Sequence, residues 1–176
     1  SYGGQSRMSD LPHVLRNVES NEDFDQMMGI LRERLEKLRS GTSRRSRVLI
    51  LIDNYEDFVY FVSQSSRTAL MELVKLHGRE YCSVIAAGLP NASSDNLMSL
   101  IKTTRYGIAL STDALSTLSS RLSASASTEL PMGRGYVVSR ERLQDMVQFA
   151  TPLKKDLPLA ESLDQWIDKI VSHYSQ

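Results

Sequence analysis

The sequence predicts an α/β fold with a mostly parallel sheet flanked by helices and an antiparallel hairpin near the C-terminus. Val48–Ile52 and residues 82–87 are short, continuous apolar runs, which are typical of strands in a parallel sheet. A segment with helical periodicity, residues 69–76, lies between them and gives the order strand, helix, strand. Residues 136–138 and 146–150 flank a charged turn, and this pattern predicts the hairpin.

Length, charge and cysteine count narrow the class of protein. The chain has 176 residues, which fits one ordinary domain with a sizeable core. A single Cys excludes a disulfide scaffold and favours a reducing compartment. Lys plus Arg number 21, as do Asp plus Glu, so no basic excess supports binding to nucleic-acid phosphates. The longest apolar run is far short of the roughly 20 residues that span a bilayer, so we expect no membrane contact by this segment.

The firmest local prediction is an amphipathic helix that follows Ser20. Ser20 with Asp23 three residues later resembles a capping box, and Gly41 suits the end of the helix. Apolar residues recur at helical spacing along one stripe, which comprises Phe24, Met27, Met28, Leu31, Leu35 and Leu38. The strand Val48–Ile52 comes next, and its unbroken apolar character predicts cover on both faces.

The later elements alternate in the same way. Residues 58–62, 97–101 and 114–122 are predicted as helices, residues 106–110 as a third strand, and residues 123–128 as a serine-rich loop. After a linker at 152–158, a C-terminal helix places five apolar residues on one face: Leu163, Trp166, Ile167, Ile170 and Val171. Trp166 is expected to anchor that helix.

Chemistry is expected directly after the apolar strands, because ligands of open α/β sheets collect at the carboxyl ends of the strands. Asp53 follows the first strand and resembles a Walker B aspartate, which holds Mg²⁺ through water. Asn54 follows it, and an amide can orient a water but cannot accept its proton. An Asp at this position is more often a loop or cap residue, and that reading stays open.

Other chemistry-bearing residues give weaker signals. No Gly-Lys pair occurs in the sequence, so the chain lacks the phosphate cradle of a P-loop and we expect no autonomous ATP hydrolysis. His13, His77 and His173 have no paired ligand spacing and are expected to be exposed or to cap helices. Cys82 begins an apolar strand and is expected to be a buried, inert thiol.

The order of the motifs resembles the FtsK/SpoIIIE family of P-loop motor ATPases, and most of all the modules of EccC/EssC type VII secretion proteins. The resemblance runs from about residue 2 to about residue 151. It is carried by Tyr2-Gly3-Gly4, Leu11-Pro12-His13-Val14, the strand ending in Asp53-Asn54-Tyr55, Ile85-Ala86-Ala87-Gly88, and Pro131-Met132-Gly133-Arg134-Gly135 before the hairpin.

This resemblance implies a RecA/AAA-like P-loop fold that lacks its P-loop strand, since the family's Walker A segment precedes the position where this chain starts. Residues 1–151 would form the ATPase core fragment, and residues 152–176 a linker and an amphipathic helix. By position, Asp53 matches the Walker B aspartate, Asn54 replaces the second acid, and Ala87 and Gly88 stand where a polar sensor is common. ATP and Mg²⁺ are implied as cofactors by the resemblance alone, and no catalytic residue is assigned.

The resemblance favours a degenerate module that binds substrate or regulates its neighbours in a membrane-anchored, cytoplasmic secretion motor. The implied partners are neighbouring ATPase modules or further copies, as in the family's hexamers, and WXG-type secretion substrates. An ATP-driven translocase of double-stranded DNA is the alternative, and an unrelated α/β binding domain is the second alternative. Whether the chain belongs to an active enzyme is left open.

Loss of the P-loop strand would expose two strand edges. In the family that strand lies between the strand that ends near Ala87 and the strand that starts at Tyr106. Because unpaired edges invite pairing, we expect these two strands either to pair directly or to be bridged by a second copy of the chain.

Overall fold

The computed structural model describes residues 6–41, 47–90, 95–118, 130–131, 133–140, 142–149 and 157–174. The chain forms two compact units, one of residues 20–149 and one that joins residues 1–19 to residues 150–176. The predicted loop at 123–128, the residues Tyr2-Gly3-Gly4 and most of the predicted linker lie outside the described residues.

The larger unit alternates helices and strands, as the sequence predicts. In chain order it contains α1 (Asn21–Arg39), β1 (Val48–Ile52), α2 (Tyr55–Phe61), α3 (Gln64–His77), β2 (Cys82–Ala86), α4 (Asn96–Thr103), β3 (Tyr106–Ala109), α5 (Thr112–Leu118), β4 (Arg134–Ser139) and β5 (Arg142–Gln148).

The strands form two sheets. β1 and β2 run parallel, from Val48 opposite Cys82 to Ile52 opposite Ala86. The second sheet is antiparallel, in the order β3-β4-β5, and includes the predicted hairpin. The predicted α/β class is therefore confirmed. Of the two expected alternatives, direct pairing of β2 with β3 is wrong, because these strands belong to different sheets, and bridging by a second copy of the chain stays a prediction.

Helix α1 owes its boundaries to local sequence signals. The Ser20 hydroxyl accepts a hydrogen bond from the Asp23 backbone N–H at 3.1 Å and donates one to the Asp23 carboxylate at 2.9 Å. Gly41, with φ of +73°, follows the end of the helix in the left-handed region that favours glycine. The apolar stripe packs inward and buries Phe24, Met28, Leu31, Leu35 and Leu38. The start of the helix at Ser20, as its N-cap, and the amphipathic pattern are thus confirmed.

One face of the parallel sheet is exposed, which corrects the prediction of a strand covered on both faces. Leu49 and Leu51 of β1 are 54% and 65% exposed, and Ile85, opposite Leu51 on β2, is 57% exposed. Ile52, on the other face, is buried. The apolar run specified a strand correctly, but alternation along a strand sends successive side chains to opposite faces, and only one of these faces is packed.

The antiparallel sheet has its own small core. Ala109, Leu115 and Val138 are buried together, and Tyr136 packs against them. Gly107 permits a close approach of α5, because a Cβ at this position would lie 2.6 Å from the Leu118 Cδ2 atom.

The smaller unit combines a short 3-10 helix, Ser6–Asp10, with α6 (Leu159–Tyr174). Arg7 joins them, since its guanidinium lies 2.6 Å from the Asp168 carboxylate and 3.6 Å from that of Asp164. Among the side chains of α6 that the structure describes, Ile167 and Ser162 are buried, whereas Trp166 is 48% exposed. The prediction that Trp166 anchors the helix is therefore wrong. Instead, Lys169 Nζ lies 5.1 Å from the centre of its ring, a cation–π contact at the surface.

None of the helices among the described residues is long and apolar enough to cross a membrane.

The structure also tests the predictions for His77, at the end of α3, and Cys82, at the start of β2. His77 is 2% exposed, and its Nε2 lies 3.7 Å from a Glu36 carboxylate oxygen. The expectation that His77 is exposed or capping is wrong, because its side chain points toward α1 and is buried, whereas its neighbour Leu76 is 65% exposed. Cys82 is buried as expected, and burial raises the pKa of its thiol, although the Arg47 guanidinium partly opposes this shift.

Candidate functional site

The candidate site lies where β1 and β2 end. Parallel pairing brings Asp53 and Ala87 to the same sheet edge, because they follow the paired residues Ile52 and Ala86. The Ala87 N–H donates to the Ile52 carbonyl at 2.8 Å, and the Tyr55 N–H donates to the Ala87 carbonyl at 2.9 Å. The structure thus brings together the two segments that were predicted separately.

Asp53 and Asn54 have different roles in the turn from β1 to α2. The Asp53 side chain is exposed. Asn54 is the N-cap of α2, and its side-chain oxygen accepts a hydrogen bond from the Asp57 N–H at 3.3 Å. Its side-chain nitrogen donates to the Asp57 carboxylate at 2.8 Å. Both ends of the amide are therefore engaged in starting the helix.

The segment after β2 is exposed and presents no polar side chain at positions 87 and 88. Gly88 approaches α2 closely, since a Cβ there would lie 3.1 Å from the Tyr55 Cβ and 3.2 Å from a Glu56 carboxylate oxygen. The backbone N–H of Leu89 donates to that same Glu56 oxygen, Oε1, at 2.8 Å. The sensor-like segment is thus held by both backbone and side-chain hydrogen bonds.

A buried polar network lies behind the site. The Tyr55 hydroxyl donates to Asp95 Oδ1 at 2.5 Å, and that oxygen also accepts from the Met98 N–H at the start of α4. Arg67 Nε of α3 lies 2.9 Å from Asp95 Oδ2. Burial, and then the hydrogen bond to Asp95, raises the pKa of the Tyr55 phenol well above its usual range.

Sequence reasoning missed Glu56, Asp95 and Arg67 as parts of this arrangement, and it named Tyr55 only as the end of the Asp53-Asn54-Tyr55 motif. The position of Glu56 three residues after Asp53 was a usable signal, although the helix was predicted only from residue 58, whereas α2 begins at Tyr55. Tyr55 and Asp95 are 40 residues apart in the chain, so no local pattern joins them.

The residues present match a nucleotide site only in part. Asp53 offers an exposed carboxylate of the kind that supports Mg²⁺ beside a nucleotide, usually together with substrate phosphates. Within the described part of the chain, His, Cys, Asp and Glu form no group of three or more that could hold a metal ion. The sequence also contains no Gly-Lys pair for a phosphate cradle. These residues do not make a complete Mg²⁺-nucleotide site by themselves.

Comparison with known proteins gives structural matches only. No family model and no curated protein matches the chain. Its structure is similar to "EssC (ATPases 2 and 3)" from Geobacillus thermodenitrificans, with a TM-score of 0.63 and 17% identity over 76% of the chain. It is also similar to a structure titled "The cytoplasmic domain of EssC", with a TM-score of 0.56 and 17% identity over 75% of the chain.

The chain spans about a quarter of each matched protein, 26% of the first and 28% of the second. At this identity the likeness shows the fold. It confirms, at that level, the resemblance to EssC modules that the sequence motifs indicated. The parallel β1-β2 pair, its flanking helices and the antiparallel hairpin together therefore have the fold of the EssC ATPase modules.

Proposed function

We propose that this chain is part of an FtsK/SpoIIIE-type ATPase module of a type VII secretion motor, and that it regulates neighbouring modules or binds substrate without hydrolysing ATP. In this proposal residues 1–151 form the module core, and residues 152–176 add a linker and helix α6. The module lies in the cytoplasm as part of a membrane-anchored protein. The fold shared with the EssC structures supports the assignment to this type of module.

One observation carries the proposal that the module is inactive. In a hydrolysing module an acid beside the Walker B aspartate polarises the attacking water. Here the residue beside Asp53 is Asn54, which cannot accept a proton and whose amide bonds Asp57 at both ends. The site therefore has no general base at that position. The apolar Ala87 and Gly88, where a polar sensor is common in the family, support the same interpretation.

ATP and Mg²⁺ remain part of the proposal through Asp53. In the natural protein that carries this sequence, Asp53 would hold Mg²⁺ through water. The nucleotide phosphates would bind to residues other than those of the candidate site. Nucleotide bound in this way would act as a structural ligand, since the site lacks the base that turnover requires.

The proposed partners follow from the same assignment. Neighbouring ATPase modules, or further copies in a hexamer, are the first class, and WXG-type secretion substrates are the second. Exposed apolar residues on the parallel sheet, Leu49, Leu51 and Ile85, are compatible with further packing partners.

The test uses the natural protein that carries this sequence and compares it with Asp53→Ala and Asn54→Asp variants. Titration calorimetry with Mg²⁺-ATP measures binding, and phosphate release measures turnover. We expect Asp53→Ala to leave the rate of ATP hydrolysis unchanged. A rate that falls with Asp53→Ala would overturn the inactive assignment. Stimulation of that rate by double-stranded DNA would favour the translocase alternative instead.

A further inference from the structure

The loop after β2 is fastened to the first turn of α2 by one side chain, that of Glu56. Glu56 Oε1 accepts the Leu89 N–H at 2.8 Å, and the Leu89 side chain is 68% exposed. The two other hydrogen bonds of this loop described above join backbone groups of Ala87 to Ile52 and Tyr55. Those bonds continue the sheet ladder, whereas the bond from Leu89 depends on the identity of residue 56.

The geometry makes this bond specific. Gly88 lies close to α2, because a Cβ there would lie 3.2 Å and 3.4 Å from the two Glu56 carboxylate oxygens. The carboxylate therefore lies directly against the loop backbone. A backbone N–H that donates to a carboxylate forms a charge-assisted hydrogen bond, which is stronger than a neutral one.

We infer that Glu56 is a positioning residue that latches the loop of residues 87–89 onto α2 and so fixes this loop relative to the Asp53 turn. This goes beyond the proposed function, since the latch needs no nucleotide and holds whether or not the module hydrolyses ATP. Glu56 is also the carboxylate nearest to Gly88. We assign it a structural bond to Leu89, and not the role of the general base that is missing at Asn54.

The test is backbone amide exchange of this chain, followed by NMR without nucleotide, in the wild type and in Glu56→Ala, Glu56→Gln and Glu72→Ala variants. Glu72 is the matched control, because it is an exposed α3 carboxylate paired with Lys75. We expect Glu56→Ala to speed exchange at Leu89 by roughly tenfold to a hundredfold, as loss of a hydrogen bond to a charged group predicts. Glu56→Gln retains an oxygen acceptor but not the charge, so it should speed exchange at Leu89 by only about threefold to tenfold, less than Glu56→Ala, and Glu72→Ala should not change it.

Two outcomes would overturn the latch. One is an unchanged Leu89 exchange rate in Glu56→Ala, and the other is a Glu56→Gln variant that exchanges as fast as Glu56→Ala. The amides of Tyr55 and Ala87 report whether each variant is folded. If the Glu56→Ala variant does not fold, the Glu56→Gln variant alone tests the latch. Complete loss of Leu89 protection in a folded Glu56→Gln variant then rejects it.

Discussion

The Tyr55 hydroxyl donates a 2.5 Å hydrogen bond to the carboxylate of Asp95, 40 residues further along the chain. Tyr55 is fully buried, and its backbone N–H bonds the loop after β2. Through Asp95, which also caps α4 and pairs with Arg67 of α3, this tyrosine links the candidate site to two helices. The start of α2 is therefore joined to both α3 and α4 through one carboxylate.

Removal of the Tyr55 hydroxyl should destabilise the fold. Tyr55→Phe leaves Asp95 with one fewer donor in a partly buried position, which we expect to lower the free energy of unfolding by about 1–3 kcal/mol. Urea denaturation followed by circular dichroism measures this change. Tyr60→Phe is the control, since Tyr60 is 94% exposed, and it should have an effect within about 0.5 kcal/mol. Equal effects of the two substitutions would contradict the role of the network.

The same hydroxyl predicts how stability depends on pH. The pKa of Tyr55 is raised in the folded state, so folding favours the neutral phenol. The associated stability is complete below the unfolded-state pKa of about 10 and is lost as the pH rises above it, by about 1.4 kcal/mol per pH unit. Denaturation at pH 9 and pH 11 should therefore show a steeper loss in the wild type than in Tyr55→Phe. Equal losses of stability in the two proteins would argue against a raised Tyr55 pKa.

Two glycines should respond to alanine in opposite directions. Gly88→Ala places a Cβ 3.1 Å from the Tyr55 Cβ, and we expect it to lower the free energy of unfolding by about 1–3 kcal/mol. Gly29 lies inside α1, and a Cβ added there would meet nothing within 4 Å, so Gly29→Ala should stabilise the fold by about 1 kcal/mol. Thermal denaturation of the two variants measures both changes. A neutral Gly88→Ala would show that the loop is not packed tightly on α2.

Asn54 should behave as a helix cap. Asn54→Ala removes the acceptor for the Asp57 N–H, and we expect it to lower the free energy of unfolding by about 1 kcal/mol. Asn54→Asp keeps a capping oxygen but places a second carboxylate beside Asp57, so its stability should fall between the wild type and Asn54→Ala. Urea denaturation ranks the three proteins. An Asn54→Ala variant as stable as the wild type would show that the Asn54 side chain does not stabilise the start of α2.

Cys82 should be unreactive in the folded chain. The thiol is 1% exposed and its pKa is raised by burial, so little thiolate is present at neutral pH. We expect a thiol-reactive chromogenic disulfide to label Cys82 more slowly than in urea, by a factor on the order of a hundred or more. As the sequence contains a single Cys, the labelled fraction reports this site alone. Labelling at the same rate in buffer and in urea would contradict the burial.

Much of the secondary structure could be predicted because its signals are local. The capping box of Ser20 and Asp23, and the apolar stripe of α1, act within a few residues of one another. The run Val48–Ile52 specified a strand, and the Asp53 turn that follows it was recognisable as a candidate site. The register that brings Asp53 beside Ala87 was predictable only in outline, since it depends on pairing between segments over 30 residues apart.

Local signals in the sequence were enough to predict most of the helices and strands, the start of α1 and the residues that follow the strands, because these depend on the period of apolar residues and on short-range capping. Which faces are packed depends instead on the tertiary structure. Leu51 and Ile52 are adjacent and equally apolar, yet one is exposed and the other buried. Trp166 and His77 were misplaced for the same reason, since burial depends on which distant element covers a side chain, and no local pattern encodes that cover.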